Sequence, residues 1–112
     1  RKSHWCLLGL MNSLVANYLV RLRVMTHVTA SLMARLPVPR PPAGSRAFEM
    51  LVTLSRQLAE TGIDDNVNDY AELNGIAAQL YGLTSDQFAY VLATFPLIAA
   101  DVRERCLSAF NR

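Results

Sequence analysis

This chain is poor in the residues from which most active sites are built. Its only cysteines, Cys6 and Cys106, lie near opposite ends, and there is no C-x-x-C pair. That spacing excludes a zinc ribbon and a disulfide framework, and predicts two buried free thiols in a reducing cytoplasm. Histidine is just as scarce. His4 is terminal, and His27 has no acid within twenty residues on either side. A nucleophile, base and orienter therefore have no local basis, and no catalytic residue is expected. All five glycines stand singly. No glycine-rich loop follows a strand, so no phosphate or cofactor cradle is expected.

Acids are almost missing from the first half. Residues 1–56 hold eight Lys and Arg and one acid, Glu49, for a net +7, whereas residues 57–112 hold three Arg and eight acids, for a net −5. Such asymmetry suits either a polyanion-facing part and a solvent-facing part, or two halves that attract each other. The paired carboxylates Asp64-Asp65 and Asp69/Glu72 sit where a helix is expected to begin, which favours the helix dipole. D-D-N-V-N-D lacks the spacing, the Gly and the final Glu of a calcium loop, so no metal site is expected.

What the chain has is apolar surface, 52% of its residues. In so short a chain that is enough for one core, with some left to lie against neighbours. Arg1 stands where an initiator Met is expected, which reads as a piece of a longer protein. His4 to Val20 runs 17 residues without Lys, Arg, Asp or Glu. That is near the lower limit of a membrane span. Gly9, Asn12, Ser13 and Asn17 interrupt it, and two Asn at mid-bilayer are costly. A buried helix is the expectation, with no membrane partner and no cleavable signal.

Periodicity predicts a first helix over 4–22, with Leu7, Leu10, Met11, Leu14 and Tyr18 facing inward. Val24 to Val28 reads as extended. Thr29 caps a short helix that Pro37 ends. Pro37, Pro39, Pro41 and Pro42 with Arg40 form a stiff connector. Ser45 then caps a helix to about Thr61, with Phe48, Leu51, Val52, Ser55 and Leu58 inward, stopped by Gly62. Asp64, Asp65 and Asn66 start the next helix, which runs to Gly82. T-S-D-Q at 84–87 is a capping box. Pro96 breaks that helix, and a last one spans 97–110. The expected fold is all-α: a small bundle of about five to six helices, with a short extended segment and a proline-rich connector. Residues 1–42 and 43–112 are its two parts, in one compact unit.

The remaining chemical lead is basic. Arg21 and Arg23 close the first helix, and Thr26 and His27 add short donors. Arg35 and Arg40 follow beside the prolines. Such side chains contact phosphates and guanine edges. Alternatively, an Arg at a helix C-terminus complements the dipole.

L-L-G-L-M-N-S, Y-L-V-R-L-R-V, T-H-V-T and L-P-V-P, spanning Leu7 to Pro39, resemble the end of the target-recognition region in large class I adenine-N6 DNA methyltransferases. That group includes fused type II restriction-modification enzymes. Downstream, L-N-G-I-A-A-Q-L-Y-G-L-T, F-A-Y-V-L and T-F-P are similar to the helical tail that closes several such proteins. The resemblance implies double-stranded DNA and the rest of the parent protein as partners. It implies S-adenosylmethionine for the parent, bound by a Rossmann-like domain, with the flipped adenine held by N-P-P-Y. This chain contains neither, so it is expected to be non-catalytic and to bind no cofactor. Its implied role is to finish and brace the specificity domain, with Arg21, Arg23, Thr26, His27, Arg35 and Arg40 as DNA-binding candidates. The rival expectation is a structural interaction or dimerisation module that docks, even as a homodimer, through the first helix and the Phe88 to Phe95 face.

Overall fold

The computed structural model describes residues 1–25 and 38–112, the side chains of 23–25 excepted. The expected short helix from Thr29 and the start of the proline connector lie outside the described residues. Within them the chain forms six α-helices and no strand: α1 Lys2–Met11, α2 Leu14–Met25, α3 Arg46–Thr61, α4 Val67–Leu80, α5 Ser85–Ala93 and α6 Ala100–Asn111. The all-α bundle is as expected.

The main departure is at the start. The single helix expected over 4–22 is two helices that meet at a bend of 57°. Asn12 and Ser13 cause the break by offering the backbone other partners. Asn12 Nδ2 donates to the Leu8 carbonyl at 2.9 Å, and Ser13 Oγ donates to the Leu10 carbonyl at 2.7 Å. The same Ser13 hydroxyl accepts from the Ala16 N–H at 3.2 Å, so it closes α1 and caps α2 together. Val24 and Met25, expected in an extended segment, belong instead to the last turn of α2. The buried face of α1 also differs from the predicted one. Leu10 and Leu14 are buried, but Leu7 and Met11 point outward.

The later helices follow their local signals closely. Ser45 Oγ accepts from the Phe48 N–H at 3.2 Å, and Gly62, at φ 80°, ends α3 with its N–H on the Leu58 carbonyl. The capping box of α5 is complete: Thr84 N–H donates to Gln87 Oε1 at 2.8 Å and Gln87 N–H to Thr84 Oγ1 at 3.2 Å. Two boundaries move inward. Asp64 and Asp65 lie in the turn before α4, which starts at Val67, and α6 starts at Ala100 rather than Leu97.

α4 is the helix the bundle is built on. It packs against α3 on one side and α6 on the other, while α2 crosses it and α5. Leu73 and Ala77 join a cluster with Cys6, Leu10, Phe48, Leu51, Val52 and Leu54. Tyr70, Ala71 and Ala78 join a second cluster with Leu14, Val15, Phe88, Leu92 and Cys106. A helix covered on several sides needs small residues where neighbours cross. Gly75 supplies one: a Cβ there would stand 2.8 Å from the Phe110 amide nitrogen and 2.9 Å from the Ala109 carbonyl carbon. Both parts of the chain, before and after the prolines, contribute to the first cluster.

Candidate interaction and nucleic-acid surfaces

The basic candidates separate once folded. Arg21, near the end of α2, reaches the C-terminus of α5. Its Nη2 donates to Thr94 Oγ1 at 2.8 Å, its Nη1 to the Thr94 carbonyl at 3.3 Å, and its guanidinium lies 4.3 Å from the Phe95 ring centroid. Thr94 Oγ1 in turn donates to the Val91 carbonyl at 2.6 Å. A cation thus meets the negative end of a neighbouring helix and an aromatic face together. The side chain is still exposed to solvent. Arg40 is exposed on the proline connector. Thr26, His27, Arg35 and the side chain of Arg23 lie outside the described residues.

Two basic residues not singled out in the sequence join Arg40. Arg46 opens α3 and is exposed. Arg56, ten residues on, lies with its guanidinium 5.9 Å from the Trp5 ring centroid of α1. Arg40 lines a groove with Ser3 and Leu7, and Arg56 reaches Trp5, so both lie along α1, which packs on the helix that Arg46 opens. Lys2 is neutralised there by Glu49 at 3.0 Å. Among the described residues, Arg1, Arg40 and Arg46 have no acidic partner within ion-pair distance. The acids gather elsewhere. A cleft of about 540 Å³ between α4 and α6 is lined by Glu72, Asp101 and Glu104 with Arg105 and Arg112. Its charges are largely matched: Arg105 lies 3.8 Å from Asp101 and donates to Asn68 Oδ1 at 3.1 Å, and Arg112 lies 3.9 Å from Glu72.

The outward face of α1 is apolar. Leu7 is 49% exposed, Leu8 46% and Met11 45%, and His4 shares their side of the helix. Grooves flank this ridge. One, of about 440 Å³, has Cys6, Leu10 and Phe48 at its base and Val38, Pro41 and Arg40 beside it. The other, of about 290 Å³, lies between Leu8 and Ile63 and is floored by Leu58, Tyr70 and Leu73. The Phe88 to Phe95 face expected to dock is used internally instead. Phe88 is fully buried, 5.4 Å from the Phe110 ring, and Phe95 carries Arg21. Tyr90, which meets Tyr18 edge-on, is the large apolar side chain exposed on this stretch, and Leu97 is exposed just beyond it.

Both thiols are free and buried. Burial pushes the Cys106 thiol up to about 11 and raises that of Cys6. Among the described residues no cluster of three or more His, Cys, Asp or Glu could hold a metal ion. None of the described helices is by itself long and apolar enough to cross a membrane, though the bent α1–α2 pair passes that test by length and composition together.

The apolar ridge was the part hardest to anticipate. Cys6, Leu7, Leu8, Leu10 and Met11 make α1 apolar nearly all round, and a helix of that kind needs cover on every side. Periodicity alone does not say which side the bundle covers. Compared with known proteins, this chain matches no family model, no curated protein and no solved structure.

Proposed function

We propose that this chain is a non-catalytic C-terminal helical part of a DNA adenine methyltransferase or restriction-modification protein, where it contributes to DNA binding and braces the specificity region. The observation that carries this reading is the separation of charge in the fold. Arg1, Arg40, Arg46 and Arg56 stand around the α1–α3 pair, and most of the acids stand on and around α4 and α6. A phosphate backbone is drawn to the first surface more than to the second, where Arg105 and Arg112 only partly offset the acids. The similarity of Leu7 to Pro39, and of Leu73 to Pro96, to such methyltransferases supplies the context. In that context cofactor and chemistry belong to the rest of the parent, in a reducing cytoplasm. Arg21 serves in this reading mainly to hold α2 against α5. Arg40 stays a candidate contact, Arg23, Thr26, His27 and Arg35 stay candidates whose side chains lie outside the described residues, and Arg46 and Arg56 join the set.

The test is fluorescence anisotropy of a labelled duplex titrated with the protein over a range of salt concentrations. The expected result is binding that weakens steeply with salt. Replacing Arg40, Arg46 and Arg56 together by Ala should make the salt slope shallower. Absence of binding at low salt, or an unchanged slope in the variant, removes the DNA reading.

The α1 ridge favours a second reading, a protein interaction module. Three half-exposed apolar side chains in a row, with no charge between them, are unusual on a surface helix. A hydrophobic dye should bind the protein, and the Leu7→Ser, Leu8→Ser, Met11→Ser variant should lose most of that signal while melting within a few degrees of the parent. Undiminished dye binding, or loss of the fold, removes this second reading.

A further inference from the structure

We infer that the outward face of α1 pairs with the same face of a second copy of this chain, with the two α1 helices antiparallel. This rests on the interaction-module reading and names its partner. His4, Leu7, Leu8 and Met11 fall at i, i+3, i+4 and i+7, the spacing of a helix-pairing stripe. A stripe whose centre, Leu7, Leu8 and Met11, is apolar and uncharged is complementary to itself, as a two-fold interface requires.

Direction follows from charge. α1 carries Arg1 and Lys2 at its start, no acid in its first turn and no base in its last. These are the wrong charges for its own dipole, since the N-terminal end of a helix is already positive. Parallel pairing would bring two such ends together. Antiparallel pairing instead lays Arg1 of each copy beside the carbonyl end of the other α1, around Met11 and Asn12. Lys2 contributes less, because Glu49 already holds it. The ridge alone is smaller than the ~800 Å² per partner of a stable interface. The pair therefore also draws on the groove walls, Val38 and Pro41 on one side and Ile63 on the other, and its association is weak.

Sedimentation equilibrium from micromolar to millimolar protein tests this. The expected result is a monomer–dimer equilibrium that Leu8→Glu weakens by about tenfold or more. Orientation is read from a charge swap. In the antiparallel pair position 4 lies opposite position 11 of the other copy. His4→Lys and Met11→Glu, each alone, should weaken association, and the two combined in one chain should restore it. In a parallel pair the combined variant sets like against like and associates worst. Circular dichroism melts accompany each variant. If Leu8→Glu fails to fold, the exposed His4→Lys and Met11→Glu variants carry the test. A wild-type chain that stays monomeric throughout overturns the inference, as does a combined variant weaker than either single one. A monomer that still binds dye at this ridge leaves the interaction-module reading standing, whereas dye binding indifferent to the ridge removes both.

Discussion

The side-chain oxygen of Asn74, at the centre of α4, accepts a hydrogen bond of 2.7 Å from the backbone N–H of Leu14, sixty residues away at the start of α2. Its amide nitrogen donates to the Tyr70 carbonyl at 2.9 Å, so the side chain is held from its own helix. The first N–H groups of a helix have no partner within it. Asn74 supplies one for α2, in a position fully sealed from water. The bend between α1 and α2 is thereby tied to the central helix.

Asn74→Ala is expected to destabilise the chain by about 1–3 kcal/mol, because it leaves the Leu14 N–H buried without an acceptor. Asn74→Leu restores volume but not the hydrogen bond, and should cost a similar amount. Urea unfolding checks both. Wild-type stability in Asn74→Leu would mean that packing alone holds the bend.

Two glycines should respond differently to alanine. At Gly75 the new Cβ meets the backbone of Ala109 and Phe110, and a backbone has no rotamer to yield with. At Gly9 it meets the hydroxyl of Ser55, which is buried without a hydrogen-bond partner in the described structure. Alanine gains ~1 kcal/mol of helix propensity at either site, against an overpacking cost of about 1–3 kcal/mol. Gly75→Ala should therefore be clearly destabilising. Gly9→Ala should be rescued by Ser55→Ala, and a double-mutant cycle on thermal melts measures that coupling. Simple additivity at Gly9 and Ser55 would show that the two do not compete for one space.

Arg21→Ala should lower stability by about 1 kcal/mol, by removing a cation from the end of α5 and from the Phe95 ring. Arg21→Lys should recover only part of this, since an ammonium lacks the flat fork that spans Thr94 and the ring. Comparing their DNA salt slopes separates a holding role from a phosphate contact. A slope as reduced in Arg21→Ala as in the Arg40, Arg46, Arg56 variant would make Arg21 a phosphate contact too.

Alkaline pH should destabilise the chain. Burial raises the Cys106 thiol from its ordinary 9.0 to about 11 in the folded protein. The unfolded chain loses that proton first, so the contribution is fully present below pH 9 and is lost as pH rises through 11. The loss is on the order of 2–3 kcal/mol. Burial shifts Cys6, Tyr70 and Tyr81 the same way. Urea midpoints measured with wild type and Cys106→Ala, from neutral to alkaline pH, check the sign. The variant should lose less stability over that window. Both thiols should also resist alkylation at neutral pH until the protein unfolds.

Much of this bundle is written locally. Ser45, the T-S-D-Q box and Gly62 mark helix ends through hydrogen bonds and backbone angles spanning a few residues, and α3 and α5 begin where those signals stand. The inward stripe of α3 is legible for the same reason, because its polar face is charged and its apolar face is not. The boundary at Asp64 was less legible. An acidic pair favours a helix start by charge alone, and the turn from Ile63 to Asn66 competes for the same backbone.

The amino-acid order by itself determined the all-α class, most helix limits after the prolines, and the burial of both thiols, since each follows from short-range pattern or from strong apolarity. Three things waited on tertiary structure. Ser13 breaks the first helix where Leu14 can hand its N–H to Asn74. Arg21 lies at the end of α5, more than seventy residues away. The bundle covers Leu10 and leaves Leu7, Leu8 and Met11 outside. Apolar residues nearly all round α1 give periodicity no face to choose, so that choice belongs to the helices packed against it.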